Sequence, residues 1–203
     1  ALSKAQGLLE AATHGADDGE LYLERPERAG LAFDDGRLKA ADLDVPDGFG
    51  LRVVVAETAG FAHASEISAA SIERAGQAAA LAKSGRAGVA ANAPRSTNRA
   101  LYGDDDPLAA PGFADKVALL QEIDAYARAR DPRVVQVSAN LVAERRHIEI
   151  LRVDGPVVRD ARPLVRVGVA ATVAHSGRRG GGRSGCGGAG GLQARGTRDG
   201  RRA

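Results

Sequence analysis

Two short turn motifs near the start of the chain constrain its fold most. Residues 34–36 read Asp-Asp-Gly, and residues 46–48 read Pro-Asp-Gly. Asp-Gly supplies the positive φ angles that a two-residue β-hairpin needs, and Pro-Asp-Gly is a common turn sequence. Strand patterns flank both motifs. Pro26 and Glu27 are predicted to separate the strand at residues 21–23 from the strand at residues 30–33. The sequence therefore predicts an antiparallel meander with strands at residues 21–23, 30–33, 37–45, 50–56 and 59–64.

Helical patterns flank this meander and separate it from a second group of strands. Apolar residues at helical spacing predict helices at residues 2–14, at residues 112–130, and from a cap at Ser65 or Ser68 to residue 83. A long connection, residues 85–111, joins the last two helices. Further strands are predicted at residues 134–144, 146–153 and 162–174. Segregated runs of strands and helices predict an α+β fold, a mostly antiparallel sheet with helices packed on one face.

The last of these strands alternates between two kinds of side chain. Arg166 and Gly168 fall on one face, and Val165 and Val167 fall on the other. Side chains of a strand point alternately to opposite faces of the sheet. The same alternation at residues 146–153 predicts that the preceding strand is half-buried.

Residues 176–203 differ in composition from everything before them. They contain eleven Gly and seven Arg, and Leu192 is their one large aliphatic side chain. A segment so poor in apolar surface is predicted to be disordered. The chain is therefore divided into a globular domain, residues 1–176, and a disordered Gly/Arg-rich tail, residues 177–203. The segment carries a net charge of +6, which leaves −4 on the first 175 residues and disfavours a nucleic-acid-binding face there.

The residue types that hold metals or act as nucleophiles are scattered along the sequence. A catalytic zinc site needs three protein ligands, often two His one helical turn apart. The histidines are far apart in sequence, and they are His14, His63, His147 and His175. Ser65 and Glu66 follow His63 closely, but a helix cap explains that serine. No catalytic, cofactor-binding or metal-ligating residue is therefore assigned.

Three further features limit the class of protein. Cys186 is the one cysteine, which excludes an internal disulfide and a multi-cysteine metal site. The acidic run at residues 104–106 is interpreted as a solvated loop. No apolar stretch reaches the roughly 18 residues of a membrane span, and the first residues lack the apolar core of a secretory signal. Neither a membrane partner nor export is predicted.

Three pairs of segments carry a resemblance to a known family. They are residues 18–24 (DGELYLE) with 35–39 (DGRLK), residues 48–53 (GFGLRV) with 58–63 (TAGFAH), and residues 131–138 (DPRVVQVS) with 162–166 (RPLVR). In order and spacing they resemble the N-terminal domain of the TldD branch of the TldD/PmbA metallopeptidases, once called modulators of DNA gyrase. The resemblance covers residues 2–177.

The resemblance implies a cytoplasmic zinc peptidase that acts on unfolded or modified peptides, with a TldD-like subunit paired to a PmbA-like subunit or to itself. Members of the family hold zinc in a C-terminal domain, on an H-E-x-x-x-H helix with a later cysteine. This sequence has no His-Glu pair, so no ligand can be transferred to it. The implied role is a non-catalytic scaffold, inactive on its own, that lines the substrate channel and contributes subunit contacts. The Gly/Arg-rich end is interpreted as a frameshifted or truncated gene, with the catalytic domain absent.

Two other functions stay open at this stage. The chain is alternatively a standalone binding or adaptor module that uses its basic tail to hold nucleic acid or an acidic partner. The absence of aromatic residues from the tail makes nucleic acid the less favoured ligand. The third interpretation is an enzyme with an uncharted site around His63 and Glu66.

Overall fold

The computed structural model describes residues 2–56, 58–80, 88–89, 102–153, 155 and 157–192. These ranges contain three helices, α1 (Leu2–Thr13), α2 (Ala69–Ala79) and α3 (Phe113–Arg130). They also contain eight strands, β1 (Asp18–Asp34), β2 (Arg37–Asp44), β3 (Gly48–Val55), β4 (Thr58–Ala64), β5 (Gly88–Val89), β6 (Val134–Arg152), β7 (Val158–His175) and β8 (Arg178–Gly188). The predicted α+β fold with a mostly antiparallel sheet is confirmed. The predicted end of the second helix and most of the long connection lie outside the described residues.

The strands follow the order β5-β4-β3-β1-β6-β7-β8, and β2 pairs with β1. The chain divides into two compact units. Unit 1 comprises Ala1–Pro26, Pro46–Ala100 and His147–Asp160, and unit 2 comprises Glu27–Val45, Leu101–Arg146 and Ala161–Ala203. Both units are therefore assembled from segments that are distant in sequence.

Unit 1 packs α1 and α2 against the first strands of the meander. Its core contains Leu9 of α1, Leu21 of β1, Leu51 of β3, and Leu151, all fully or almost fully buried. Ser68 is the N-cap of α2, and its side chain accepts a hydrogen bond from the backbone N–H of Ser71. Of the two predicted caps, Ser68 is therefore the one that the structure uses.

Unit 2 packs α3 against the other half of β1 and against β6. Leu120 of α3 is fully buried against a cluster that includes Leu31, Phe33 and Leu141. The predicted hairpin between β1 and β2 is confirmed, because Asp35 and Gly36 have φ angles of 51° and 77°. These are the positive values that the Asp-Gly sequence predicted.

Two predicted strand breaks are wrong. β1 runs through Pro26, because its pairing with β3 ends at Glu24 and its pairing with β2 begins at Arg28. The N–H that proline lacks is therefore not needed by either of these partners. β6 runs through the polar segment at residues 144–147, where Arg145 bonds to Asp106 at 3.1 Å and Arg146 bonds to Glu144 at 2.8 Å.

The disorder predicted for residues 177–203 is wrong for Arg178–Gly188. This segment forms β8, which pairs with β7 from His175 opposite Arg178 to Val165 opposite Gly188. Ser176 and Gly177 form the turn, with φ angles of 48° and 78°. Almost every side chain of β8 is exposed, so pairing of the main chains replaces the apolar burial that the prediction required. Residues 193–203 lie outside the described residues.

Candidate binding groove

The sheet of unit 2 has one apolar face and one polar face. Val137, Ala139 and Leu141 of β6 are buried on the side that α3 covers. The residues between them, Ser138 and Asn140, point the other way and are at least partly exposed. Strand alternation therefore separates a buried face from a face that is at least partly open to solvent.

The polar face lines an open groove with a volume of about 890 Å³. Small residues form much of its floor, among them Ala32, Gly168, Ala170, Gly185 and Gly187. Polar and charged residues also line it, and they are Arg28, Asp34, Lys39, Ser138, Asn140, Arg166 and Arg183. The groove thus joins β1, β2, β6, β7 and β8, whose residues are far apart in sequence.

Asp34 is the one acid among the residues that line this groove. Its carboxylate accepts hydrogen bonds from the Ser138 hydroxyl and, at 3.2 Å, from Gln136 Nε2. The bond from Ser138, and then that from Gln136, hold the pKa of Asp34 below its ordinary value, and the charge of Lys39 adds to the effect. Asp34 is therefore a carboxylate at neutral pH.

Two glycines let side chains lie flat across the floor of the groove. A Cβ atom at Gly168 would lie 2.5 Å from Asn140 Oδ1, and one at Gly187 would lie 2.9 Å from Arg166 Cγ. Both distances are shorter than a van der Waals contact. The glycines on β7 and β8 therefore determine where the Asn140 amide and the Arg166 stem can lie.

The histidines considered in the sequence are not brought together with other ligands. His63 is exposed on β4 opposite Gly50, and Ser65 and Glu66 are exposed after that strand. Among the described residues, no group of three or more His, Cys, Asp or Glu side chains could hold a metal ion. His14 follows α1, His147 lies on β6 and His175 ends β7. Cys186 is an exposed free thiol on β8.

The acidic run at residues 104–106 was interpreted as a solvated loop, but Asp106 is a structural anchor. Its Oδ1 accepts hydrogen bonds from the backbone N–H groups of Leu108 (3.0 Å) and Ala109 (3.3 Å), and Oδ2 contacts Arg145 at 3.1 Å. Partial burial raises the pKa of Asp106, but the two N–H donors and Arg145 outweigh it and leave the pKa below its ordinary value. The sequence signal for this turn is an Asp whose side chain can accept hydrogen bonds from the backbone N–H groups two and three residues later.

Lys116 continues this anchor at the start of α3. The side chain is buried, and its Nζ donates to the Leu108 carbonyl at 2.7 Å. Desolvation lowers the pKa of Lys116, and the charge of Asp106 opposes that shift. Asp106 and Lys116 therefore hold the segment before α3 in place.

No helix in the described part of the chain is long and apolar enough to cross a membrane.

Two family models match the chain in succession. The model of the PmbA/TldA metallopeptidase domain 1 matches residues 19–82, and that of the PmbA/TldA metallopeptidase central domain matches residues 106–202. The second match includes almost all of the Gly/Arg-rich segment and three of the strands that line the groove, β6, β7 and β8. The groove therefore lies in the region that matches the central domain, together with residues of β1 and β2.

Curated relatives agree with these matches. A metalloprotease TldD homolog of Haemophilus influenzae is 33% identical over 180 residues, which are 87% of this chain and 37% of that protein. A metalloprotease TldD homolog of Buchnera aphidicola (subsp. Schizaphis graminum) is 31% identical over 176 residues, 86% of this chain and 36% of the relative. The chain thus spans little more than a third of the length of the curated relatives that it matches.

Solved structures share the fold at low sequence identity. A protein of Bacteroides thetaiotaomicron described as a modulator of DNA gyrase has a TM-score of 0.73 at 12% identity, covering 95% of this chain and 45% of its own. TldE from Thermococcus kodakarensis has a TM-score of 0.69 at 16% identity, covering 91% of this chain and 42% of its own. At these identities the likeness shows the fold alone.

Proposed function

Because the chain belongs to the PmbA/TldA metallopeptidase family, we propose that it forms the non-catalytic front part of a TldD-like zinc metallopeptidase. The observation that carries the proposal is the match of two successive family domains, the second of which contributes three of the strands that line the open groove. In this role the chain is inactive alone. Unit 2 supplies one wall of the channel through which a peptide substrate passes.

The residues described in the structure do not fit a zinc ion. Zinc sites of peptidases combine three closely spaced side chains with an open position. No such group occurs among the described residues. No chemical step is therefore assigned to this chain, and we propose that the metal ligands belong to the part of the relatives that it does not span. Zinc in such an enzyme would polarise the peptide carbonyl and activate a water molecule.

The substrates in this proposal are unfolded or modified peptides in an extended conformation. Within the described sheet, β8 stands at one end of the strand order and pairs with β7 alone. Six of its eleven residues are glycine, so few side chains cover its outer N–H and C=O groups. An extended peptide can bind such an edge by main-chain hydrogen bonds. This geometry supports a peptide path along β8 and the groove.

The proposed partner is a PmbA-like subunit, or a second copy of the chain. The structural likeness to TldE supports a partner of this kind. We further propose that the complete enzyme acts in the cytoplasm, as the family resemblance implies. Neither nucleic acid nor a membrane has a part in this role.

The proposal is tested by measuring zinc content and peptide hydrolysis of the purified 203-residue chain. We expect no stoichiometric zinc after incubation with the metal and dialysis, and no cleavage of an unstructured fluorogenic peptide. The matched control is the TldD homolog of Haemophilus influenzae at its full length, under the same conditions. Stoichiometric zinc and turnover by the 203-residue chain alone would contradict the proposal, and loss of that turnover in His63→Ala would favour the site around His63 and Glu66.

A further inference from the structure

The charges around the groove are distributed unevenly between its two sides. On the side formed by β1 and β2, Arg28 lies opposite Asp44, and the Asp42 carboxylate lies over Gly30. Asp34 and Lys39 also belong to this side. Positive and negative charges are therefore close to balanced there.

On the opposite side, which we call the β7–β8 wall, every charged residue that lines the groove is basic. It consists of the groove-facing residues of β7 and β8, with Arg166 opposite Gly187 and Arg183 opposite Ala170. β8 contains no acid, and the one acid of β7, Asp160, belongs to unit 1. Arg166 and Arg183 are both exposed. Within the described part of the chain, neither guanidinium group forms an ion pair with a carboxylate.

We propose that the β7–β8 wall selects extended polypeptide segments that carry Asp or Glu side chains. The inference rests on the proposed function and names the substrate class of the same groove. Carboxylates on alternate residues of an extended peptide point to the same side of that peptide. A peptide bound in the groove can therefore direct them toward the Arg166 and Arg183 guanidinium groups. Arg binds carboxylates through paired N–H donors.

The floor of the groove favours a polypeptide over a nucleic acid. Ala170 and Gly185 carry a methyl group or no side chain, which leaves space there for a main chain to approach the sheet. Single-stranded nucleic acids are bound largely by stacking of bases on exposed aromatic rings. The aromatic residue that lines the described groove is Phe33, and it is 2% exposed and packs in the core under α3.

Fluorescence anisotropy with the full 203-residue chain tests the proposal. The probes are three unstructured peptides of equal length, with Glu, Gln or Lys at alternate positions between Ser and Gly, and all carry the same dye. We expect the Glu peptide to bind roughly tenfold more tightly than the Gln peptide, with a preference that salt weakens. Equal binding of the Glu and Gln peptides would overturn the acidic preference.

Two arginines on β8 provide a matched pair of variants. Arg183 faces the groove, and Arg178, opposite His175, alternates to the other face of the same strand. We expect Arg183→Gln to weaken binding of the Glu peptide roughly threefold and Arg166→Gln/Arg183→Gln roughly tenfold, whereas Arg178→Gln leaves it unchanged. Equal losses in Arg183→Gln and Arg178→Gln would show a non-specific charge effect and overturn the proposal.

A variant that binds more tightly provides a test whose expected result cannot be caused by misfolding. Asp34→Asn removes the groove's own carboxylate, and we expect it to tighten binding of the Glu peptide roughly twofold. If an oligothymidylate of equal charge displaces the Glu peptide at a lower concentration than unlabelled Glu peptide does, the groove is a nucleic-acid site and the proposal fails. Zinc binding and hydrolysis by this chain would contradict the proposed function whatever the peptide result.

Discussion

At the scale of single residues, two glycines of unit 1 have opposite packing environments. Gly19 is buried in β1, and a Cβ there would lie 2.1 Å from Thr13 Cγ2 and 2.9 Å from Val153 Cγ2. Thr13 cannot move away easily, because it is buried and its hydroxyl donates to the Leu9 carbonyl at 2.7 Å. Gly7 is exposed within α1 and has open space around it.

We therefore expect the same substitution to change stability in opposite directions. Gly19→Ala should lower the free energy of unfolding by about 1–3 kcal/mol, because it overpacks a closed site. Gly7→Ala should raise it by about 0.5–1 kcal/mol, because Ala is the better helix former. Urea unfolding of both variants against the parent chain measures the two effects. A Gly19→Ala chain as stable as the parent would show that Thr13 and Val153 have room to adjust.

At the scale of elements, side-chain patterns predict most of the helices and strands. They do not predict features that depend on hydrogen bonding between main chains. The helices α1 and α3 and the hairpin at Asp35 and Gly36 followed from periodicity and turn residues. The continuity of β1 through Pro26 did not, because it depends on which partner each half of the strand pairs with. β8 also could not be predicted, since its main chain pairs with β7 while its side chains stay exposed.

The groove was predictable only one strand at a time. Alternation in β7 correctly placed Arg166 and Gly168 on one face and Val165 on the other. The bond between Asp34 and Ser138 and the approach of Asn140 to Gly168 depend on tertiary pairing between distant segments. A single sequence carries no local signal of such pairing.

The cap of α2 provides a test at this scale. Ser68 and Ser71 exchange hydrogen bonds in a capping box, and the Ser71 hydroxyl also donates to the Glu66 carbonyl at 2.6 Å. We expect Ser68→Ala to destabilise unit 1 by about 1 kcal/mol. Ser65→Ala is the matched control, because Ser65 is exposed and is not the cap. Thermal unfolding followed by circular dichroism distinguishes the two, and equal midpoints for both variants would contradict the assigned cap.

At the scale of the whole molecule, the family domains follow one another in sequence, whereas the compact units interleave. Unit 1 takes its buried Leu151 from the segment His147–Asp160, far beyond residue 100. Unit 2 takes its buried Leu31 and Phe33 from β1, near the start of the chain. Each core is therefore complete only when both halves of the sequence are present.

We expect a cut between residues 100 and 101 to prevent independent folding of the two fragments. Each fragment would lose buried side chains worth about 2–5 kcal/mol apiece, which is comparable to the total stability of a domain. Separate expression, limited proteolysis and urea unfolding measure this loss, and co-expression of the two fragments is the control. A cooperative unfolding transition in fragment 1–100 alone would show that unit 1 does not need Leu151.

The main-chain pairing of β8 has a consequence for the evolution of its sequence. Its pairing uses the main chain, and its side chains contribute almost nothing to a core. Substitutions at its exposed non-glycine positions that keep an extended backbone should therefore be nearly neutral for folding, while each one changes the side chain that an incoming ligand meets. Arg183 and its neighbours form a stretch in which ligand preference can drift or be engineered without a compensating change elsewhere in the chain.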